Sequence, residues 1–224
     1  MFIDFNIDYG LIVFYIFCTF SLAFTNAFLT IQNTMEDIQQ EVHKAYEVIK
    51  NGGIILYPTD TVWGIGCDAS NPEAVKKIYA LKKRAESKSM IVLVNGDRLF
   101  HNIFHNVPEV AWEILDCSEK PTTLILDNPK NVAKEVVSSD NSLGIRIVNE
   151  PFCFRLIERM KRPLVSTSAN ISGEPSPSNF KEISKEIIDG VDYVVNLRRD
   201  EMKYVKPSTI IKLKENNQVT IIRK

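Results

Sequence analysis

The spacing of hydrophobic residues predicts a succession of helices from residue 36 onward. After Glu36, apolar side chains recur every three or four positions, which indicates an amphipathic helix that ends at Gly52-Gly53. The cap residue Asn71, with Pro72 at the first helical position, begins a second helix. Three further helices are expected at Val107–Leu115, at Phe152–Met160 and near Lys181–Ile188.

Short apolar runs between these helices are rich in β-branched residues and predict strands. No internal repeat or linker separates the elements, so residues 35 to 224 are expected to form one mixed α/β domain. The predicted strands are Ile54–Tyr57, Met90–Val94, Thr122–Leu126, Leu143–Val148, Pro163–Ser166, Tyr193–Asn196 and a terminal strand that ends at Arg223.

Residues 1–34 differ from the rest of the chain. This leader is apolar, contains no lysine or arginine, and carries charge only at Asp4 and Asp8. Signal peptides and membrane anchors normally have a basic start. A signal peptide, an anchor helix and an upstream extension in front of a true start at Met35 all stay open. We favour the extension, because Met35 directly precedes the first helical pattern.

The composition is typical of a soluble α/β protein. The 224 residues are 45% hydrophobic and 25% charged, and the net charge is −1. This near-neutral charge argues against broad, sequence-independent nucleic-acid binding, which needs a large basic surface. The four cysteines form no C-x-x-C pair and have no histidine at ligand spacing, so we expect reduced thiols in the core.

A polar loop after the first predicted strand is the main candidate for chemistry. Pro58-Thr59-Asp60-Thr61 carries two hydroxyls and a carboxylate, and Gly64 and Gly66 permit close backbone approach or positive φ. Such a loop can offer amide and hydroxyl donors to an anion. Downstream, Lys82-Lys83-Arg84 and Lys88 add positive charge, although cations at the end of a helix are also favourable for dipole reasons alone.

Two later stretches of the sequence are also candidates for ligand binding. Arg146 occupies a strand position, where an arginine must either face solvent or meet an anion. Ser166–Ser178 is rich in serine, asparagine, glycine and proline, which is typical of a surface loop. It directly follows a strand, however, and open α/β sheets place ligand-binding loops there.

Other motifs predict less. Gly64–Ala69 matches a G-x-G-x-x-A pattern, but the next helix begins too late for a dinucleotide site, and the chain has no Walker A string. His101 and His105 lack a third ligand, so no protein metal site is expected. Neither a nucleophile–base pair nor a dyad of acids is evident.

The motifs gain specificity from their order. They are Pro58–Thr61 with Gly64 and Gly66, Leu81–Arg84 with Lys88, Gly144–Arg146, Ser166–Gly173, Pro175–Ser178, Pro207–Thr209 and the final Ile-Arg. In this order and spacing they resemble the YrdC/TsaC family of threonylcarbamoyl-AMP synthases. The match runs from about Met35 to the end of the chain.

The resemblance implies an α/β fold with a YrdC-like twisted mixed sheet, flanked by helices around a large cationic cavity. It implies the short form of the family, without an additional C-terminal domain. The implied activity joins L-threonine, bicarbonate and ATP into L-threonylcarbamoyl-adenylate and pyrophosphate, for threonylcarbamoyladenosine formation in tRNA next to the anticodon. The implied residues are a catalytic tetrad of Lys82, Arg84, Ser168 and Asn170; ATP contacts at Arg84, Lys88, Asn170, Ser178 and Arg223; and threonine contacts at Thr61, Arg146, Ser168 and Ser208.

The resemblance also implies Mg²⁺ held mainly by the ATP phosphates. It implies a cytoplasmic enzyme, with no membrane attachment of the catalytic domain, that hands the adenylate to a tRNA threonylcarbamoyltransferase complex. The chemistry agrees, because a carbamate is already an anionic nucleophile and its attack on the α-phosphorus needs positioning and charge neutralisation more than a strong base. Arg146 is suited to hold the threonine carboxylate.

Two other classes of function remain open for this sequence. A tRNA- or double-stranded-RNA-binding module of the same fold could lack synthase activity, and a related carbamoyl-adenylate-forming domain serves hydrogenase maturation inside much longer chains. Lys120 and Leu93 depart from the pattern of the family, which leaves the exact lining of the threonine pocket open.

Overall fold

The computed structural model describes residues 34–83, 90–202, 206–214 and 216–224. The chain divides into two compact units, Met1–Ile38 and Gln39–Lys224. In the first unit, residues 34–38 are described, and they are helical. Apart from Thr34, the predicted leader lies outside the described residues. The domain boundary at Met35 therefore stays a prediction.

Nine strands form one sheet in the described part of the chain. In chain order they are β1 (Ile55–Tyr57), β2 (Gly64–Gly66), β3 (Ile91–Val94), β4 (Thr122–Asp127), β5 (Ser142–Ile147), β6 (Leu164–Ser168), β7 (Tyr193–Val194), β8 (Thr209–Leu213) and β9 (Val219–Arg223). Across the sheet the order is β7-β1-β2-β6-β3-β5-β4-β8-β9. Three pairs, β1–β7, β3–β5 and β4–β8, are parallel and the other pairs are antiparallel, so the sheet is mixed.

Six α-helices accompany the sheet in the described residues. They are α1 (34–50), α2 (Pro72–Leu81), α3 (Asp97–Ile103), α4 (Glu109–Asp116), α5 (Pro151–Met160) and α6 (Lys185–Gly190). Asn71 caps α2 as predicted, since its Oδ1 accepts hydrogen bonds from the backbone amides of Glu73 and Ala74. Among these described helices, none has the length and apolar character needed to cross a membrane.

Helices cover both faces of the sheet. Successive residues of a strand face opposite sides, so neighbours in β1 identify the two layers. Leu56 belongs to the main buried cluster with Val75 of α2 and Phe100 of α3. Tyr57 instead packs against Phe152 of α5, with ring centroids 6.3 Å apart. This arrangement confirms the predicted α/β class.

The structure differs from the sequence prediction in several elements, among them β8, which was not predicted as a strand. β2 and α3 were not predicted, because β2 consists of three residues, two of them glycine, and α3 is only seven residues long. The predicted helix near Lys181–Ile188 is instead a 3₁₀ turn at Phe180–Glu182 followed by α6. Cys67 and Cys153 are buried as expected, but Cys117 is exposed, so the expectation of core thiols is wrong there.

The glycines of β2 allow close backbone approach. A Cβ added at Gly66 would lie 2.2 Å from the carbonyl oxygen of Val165 in β6 and 2.8 Å from the Tyr57 ring. The Tyr57 hydroxyl donates a 2.9 Å hydrogen bond to the same carbonyl. Of the two predicted reasons for glycine in this stretch, close approach is therefore confirmed and positive φ is wrong, since neither glycine has a positive φ.

We expect Gly66→Ala to lower the free energy of unfolding by about 1–3 kcal/mol or more, because the added methyl group overlaps backbone that cannot move freely. Gly64→Ala is the matched control in the same strand. Its added Cβ would meet the Ser166 Oγ at 3.2 Å, and this small side chain can adjust. Urea unfolding of both variants measures the difference, and equal losses would contradict the close-contact explanation.

A buried carboxylate joins α1 to the edge strand β7. Glu41 Oε2 accepts hydrogen bonds from the Asn196 amide at 2.6 Å and from the Tyr193 hydroxyl at 2.7 Å. Burial acts to raise the pKa of Glu41, but the hydrogen bonds from Asn196, Lys44 and Tyr193 outweigh it and lower the pKa below its ordinary value. The charged form is thus favoured in the folded protein.

Glu41→Gln should therefore lower the free energy of unfolding by about 1–3 kcal/mol near neutral pH. Because the folded-state pKa is lowered, this stabilisation is fully present above the ordinary pKa of 4.5 and is lost as the pH falls below it. Chemical unfolding at several pH values checks this, with Glu47→Gln in the same helix as control. If both variants keep the acid dependence of the parent protein, the Glu41 assignment is wrong.

Candidate active site

A cavity of about 250 Å³ lies where the polar loop after β1 meets the middle of the sheet. Hydroxyl groups, two guanidinium groups and an apolar wall form it. Its described lining consists of Thr61, Val62, Trp63, Gly64, Met90, Ile91, Ile125, Gly144, Arg146, Ser166, Thr167, Ser168, Ser176, Pro207, Ser208, Ile210 and Arg223. The volume is slightly below the usual range of about 300–1,000 Å³ for ligand pockets. Residues 84–89 and 203–205, which adjoin the lining in sequence, lie outside the described residues.

Five of the ten predicted site residues line this cavity, namely Thr61, Arg146, Ser168, Ser208 and Arg223. Segments far apart in the sequence supply them, because β5, β6, β8 and β9 all reach the same hollow. Lys82 and Asn170 contact its margin at Ser168. Arg84 and Lys88 lie outside the described residues, so their predicted roles stay predictions.

Thr61 is held in place by its neighbour Thr59. The Thr59 Oγ1 accepts the backbone N–H of Thr61 at 2.9 Å and donates to the Val62 carbonyl at 2.8 Å. The two hydroxyl oxygens lie 3.0 Å apart. Because the Thr59 proton is used by Val62, Thr61 donates in that contact, which fixes the direction of its hydroxyl.

Arg146 is almost completely buried, with 2% of its surface exposed, on the interior strand β5. Its Nη2 donates to Asp60 Oδ1 at 2.9 Å, while its Nε is buried without a hydrogen-bond partner in the described structure. Burial raises the pKa of Asp60 above its ordinary value, although the charges of Arg146 and Arg198 act in the opposite direction. A buried guanidinium with an unused donor is suited to an anionic ligand.

The second cation of the lining is Arg223 on β9. Its Nε donates to the Ser208 carbonyl at 3.0 Å, and the Ser208 hydroxyl lies 2.9 Å from the Thr123 hydroxyl. Burial lowers the pKa of Arg223, and the charge of Arg146 lowers it further. The two guanidinium groups therefore repel each other across the cavity, and an anion between them would relieve that repulsion. Thr123 was not predicted as part of this group, because a threonine inside a strand pattern gives no separate signal.

Lys82 has an unexpected position. It caps the C-terminal end of α2 and is 1% exposed, and its Nζ donates to the carbonyl oxygens of Ser168 and Asn170, the latter at 2.5 Å. Its own carbonyl accepts the Ser172 amide at 2.9 Å. Lys82 thus ties the end of α2 to the loop after β6. Its predicted contact with the triphosphate stays a prediction.

The loop after β6 positions two other predicted residues differently. The Asn170 side-chain amide donates to the carbonyls of Ile171 and Glu174, while its Oδ1 is buried without a partner among the described residues. Ser178 is not in the described lining, and its amide donates to Glu182 at 2.7 Å. Ser176 lines the cavity instead. The serine-rich run Pro175–Ser178 could not indicate which serine faces inward.

The donor set of the cavity does not resemble a metal site. Its described polar groups are hydroxyls, backbone groups and guanidinium nitrogens, and Asp60 is already paired with Arg146. Among the residues that the structure describes, no three His, Cys, Asp or Glu side chains are grouped to bind a metal.

The family relationship is supported by sequence comparisons. Residues 47–224 match the Sua5/YciO/YrdC family model, described as telomere recombination. A protein of Methanocaldococcus jannaschii, provisionally named threonylcarbamoyl-AMP synthase, is 37% identical over 82% of this chain and 87% of its own length. The threonylcarbamoyl-AMP synthase of Pseudoalteromonas translucida is 29% identical over 70% of this chain and 86% of its own.

Solved structures agree with the fold. Sua5 of P. abyssi complexed with L-threonine is 26% identical, with a TM-score of 0.69 over 77% of this chain. The match covers 50% of that longer protein, so this chain spans about half the length of Sua5. E. coli YciO, at 23% identity and a TM-score of 0.70, covers 83% of this chain and supports the fold alone. Since the family model matches well over half of its residues, the chain belongs to the Sua5/YciO/YrdC family.

Proposed function

We propose that this protein synthesises L-threonylcarbamoyl-adenylate from L-threonine, bicarbonate and ATP, and that it releases pyrophosphate. The observation that carries the proposal is the pair of guanidinium groups, Arg146 and Arg223, that line one hollow together with the hydroxyls of Thr61, Ser168 and Ser208. The names of the synthase relatives and the L-threonine complex of Sua5 support the same activity.

The proposed reaction needs charge neutralisation more than proton transfer. Threonine and bicarbonate first give a carbamate with loss of water. One carbamate oxygen then attacks the α-phosphorus of ATP, an O–P bond forms, and the bond from the α-phosphorus to the bridging oxygen breaks as pyrophosphate leaves. Both reactants are anions, so positive charge in the cavity lowers their mutual repulsion and that of the leaving group.

Each described group has a proposed task in this reaction. Arg146 binds the carboxylate of the threonine substrate. The hydroxyls of Thr61 and Ser208 bind other polar groups of the same substrate. Arg223 faces the phosphates. Ser168, at the end of β6, contacts the threonine and the nucleotide, and Asn170, on the loop that follows, contacts the nucleotide. Lys82 holds the carbonyl groups of both residues. Arg84, Lys88 and Ser178 complete the ATP contacts in our proposal on the basis of the resemblance alone.

Magnesium enters this proposal on the ATP phosphates, since the described lining offers no free set of carboxylates. The adenylate is an activated acyl donor that water would hydrolyse. We therefore propose transfer to a tRNA threonylcarbamoyltransferase complex in the cytoplasm, for modification of adenosine beside the anticodon.

We expect the purified protein to release pyrophosphate when ATP, Mg²⁺, bicarbonate and L-threonine are all present, because the carbamate is the attacking group. Omission of L-threonine or bicarbonate should abolish the release, which a coupled pyrophosphate assay measures. Equal release with L-serine or with no amino acid would refute the substrate assignment. Binding of double-stranded RNA without any threonine-dependent turnover would favour an RNA-binding module instead.

Arg223→Met should lower kcat/KM for ATP by about 10- to 100-fold, the effect expected when one charged hydrogen bond of about 1.5–3 kcal/mol is lost. Methionine keeps much of the side-chain volume but no charge. Arg162→Met is the matched control, because Arg162 pairs with Asp68 outside the cavity lining. Steady-state kinetics at varied ATP concentration measure kcat/KM for both variants. Similar kcat/KM for both variants would remove Arg223 from the phosphate site.

A further inference from the structure

Asp60 is the acidic partner of Arg146, yet it does not line the cavity. Its carboxylate accepts one hydrogen bond from Arg146 Nη2 at 2.9 Å and lies on a neighbouring pocket of about 640 Å³, together with Trp112, Lys120 and Asn149. The described lining of the catalytic cavity includes Arg146 but not Asp60. In this geometry Asp60 reaches the cavity through its hydrogen bond to Arg146 and not by lining it.

We propose that Asp60 is a positioning residue that sets the orientation of the Arg146 guanidinium for the carboxylate of the amino-acid substrate. The proposal rests on the proposed function of the cavity. Asp60 occupies one nitrogen, Nη2, and the buried Nε has no hydrogen-bond partner among the residues that the structure describes. An Arg–carboxylate contact depends strongly on the plane of the guanidinium, so fixing one nitrogen determines where the others can donate.

Asp60 can act as an anchor because its own loop is held from outside the cavity. Arg198 donates to the Thr59 carbonyl at 3.0 Å and forms ion pairs with Glu201 at 2.9 Å and Glu150 at 3.6 Å. On the same loop, the Cys153 thiol donates to the Pro58 carbonyl at 3.4 Å. The backbone on both sides of Thr59 is therefore tied to other elements, and this limits the freedom of the Asp60 carboxylate.

Electrostatics favour the same role. Arg146 is buried and shares the cavity lining with another cation, Arg223, so its charge is costly without a counter-charge. Asp60, which lies on the neighbouring pocket, supplies the negative charge that compensates Arg146. Asp60 thereby favours the position of the guanidinium in the lining.

The test compares Asp60→Ala, Asp60→Asn and Asp60→Glu in the full chain by steady-state pyrophosphate release. We expect Asp60→Ala to raise KM for L-threonine at least 10-fold and to change KM for ATP less than twofold. Asp60→Asn should raise KM for L-threonine less, because the amide oxygen still accepts a hydrogen bond. Asp60→Glu should restore part of the loss, since it returns a carboxylate.

Asp140→Ala is the matched control. Asp140 also pairs with a cation, Lys212 at 2.6 Å, but neither residue lines the cavity, so both KM values should stay at those of the parent protein. Thermal unfolding of all variants measures any general loss of stability. If Asp60→Ala changes both KM values equally, or only lowers the unfolding temperature, Asp60 has a structural role and the proposal fails.

Calorimetry of L-threonine binding separates this proposal from the proposed function. If the parent protein binds L-threonine but releases no pyrophosphate, the synthase proposal fails, and a weaker Kd for Asp60→Ala still supports positioning. If the parent releases threonine-dependent pyrophosphate and Asp60→Asn and Asp60→Ala bind L-threonine as tightly as the parent does, the positioning proposal alone fails. No binding of L-threonine by the parent overturns both.

Discussion

The burial of a guanidinium group in the middle of a β-sheet is the constraint that organises this site. Arg146 lies on β5 with 2% of its surface exposed, where an unpaired charge would cost several kcal/mol. The fold meets this cost in part with one carboxylate from the loop after β1. Arg146 also lines a hollow whose other cation, Arg223, adds to the positive potential. An anionic ligand is therefore the natural complement of this cavity.

The tight contact between β2 and β6 brings the two polar loops together. Because Gly66 has no side chain, the backbone of β2 can lie against Val165, and the register places Gly64 opposite Ser168. The hydroxyls of Thr61 and Ser168 then meet in one cavity although more than a hundred positions separate them. Short glycine-containing strands are easily overlooked in a sequence, but here one of them determines the geometry of the site.

Much of the fold could be predicted, because the spacing of apolar residues and the helix caps are visible in the sequence. The cap at Asn71 and the apolar strand that carries Arg146 are examples. The short α3 and β2 leave too few periods to detect. At the site, the sequence indicated the correct loops but not the direction of single side chains. Ser176 rather than Ser178 lines the cavity, and the ammonium group of Lys82 contacts backbone carbonyls. Partners that are distant in sequence decide such orientations.

The location of Arg223 has a dynamic consequence. In the described sheet, β9 pairs on one side only, with β8, and Val219, Ile221 and Ile222 are exposed. An outer strand of this kind separates from its neighbour more readily than an interior strand does. Each such fraying event would withdraw a cation from the hollow. The fraction of molecules able to bind a polyanion would then follow the opening equilibrium of the last hairpin, so hydrogen exchange of its amides should slow when nucleotide is bound.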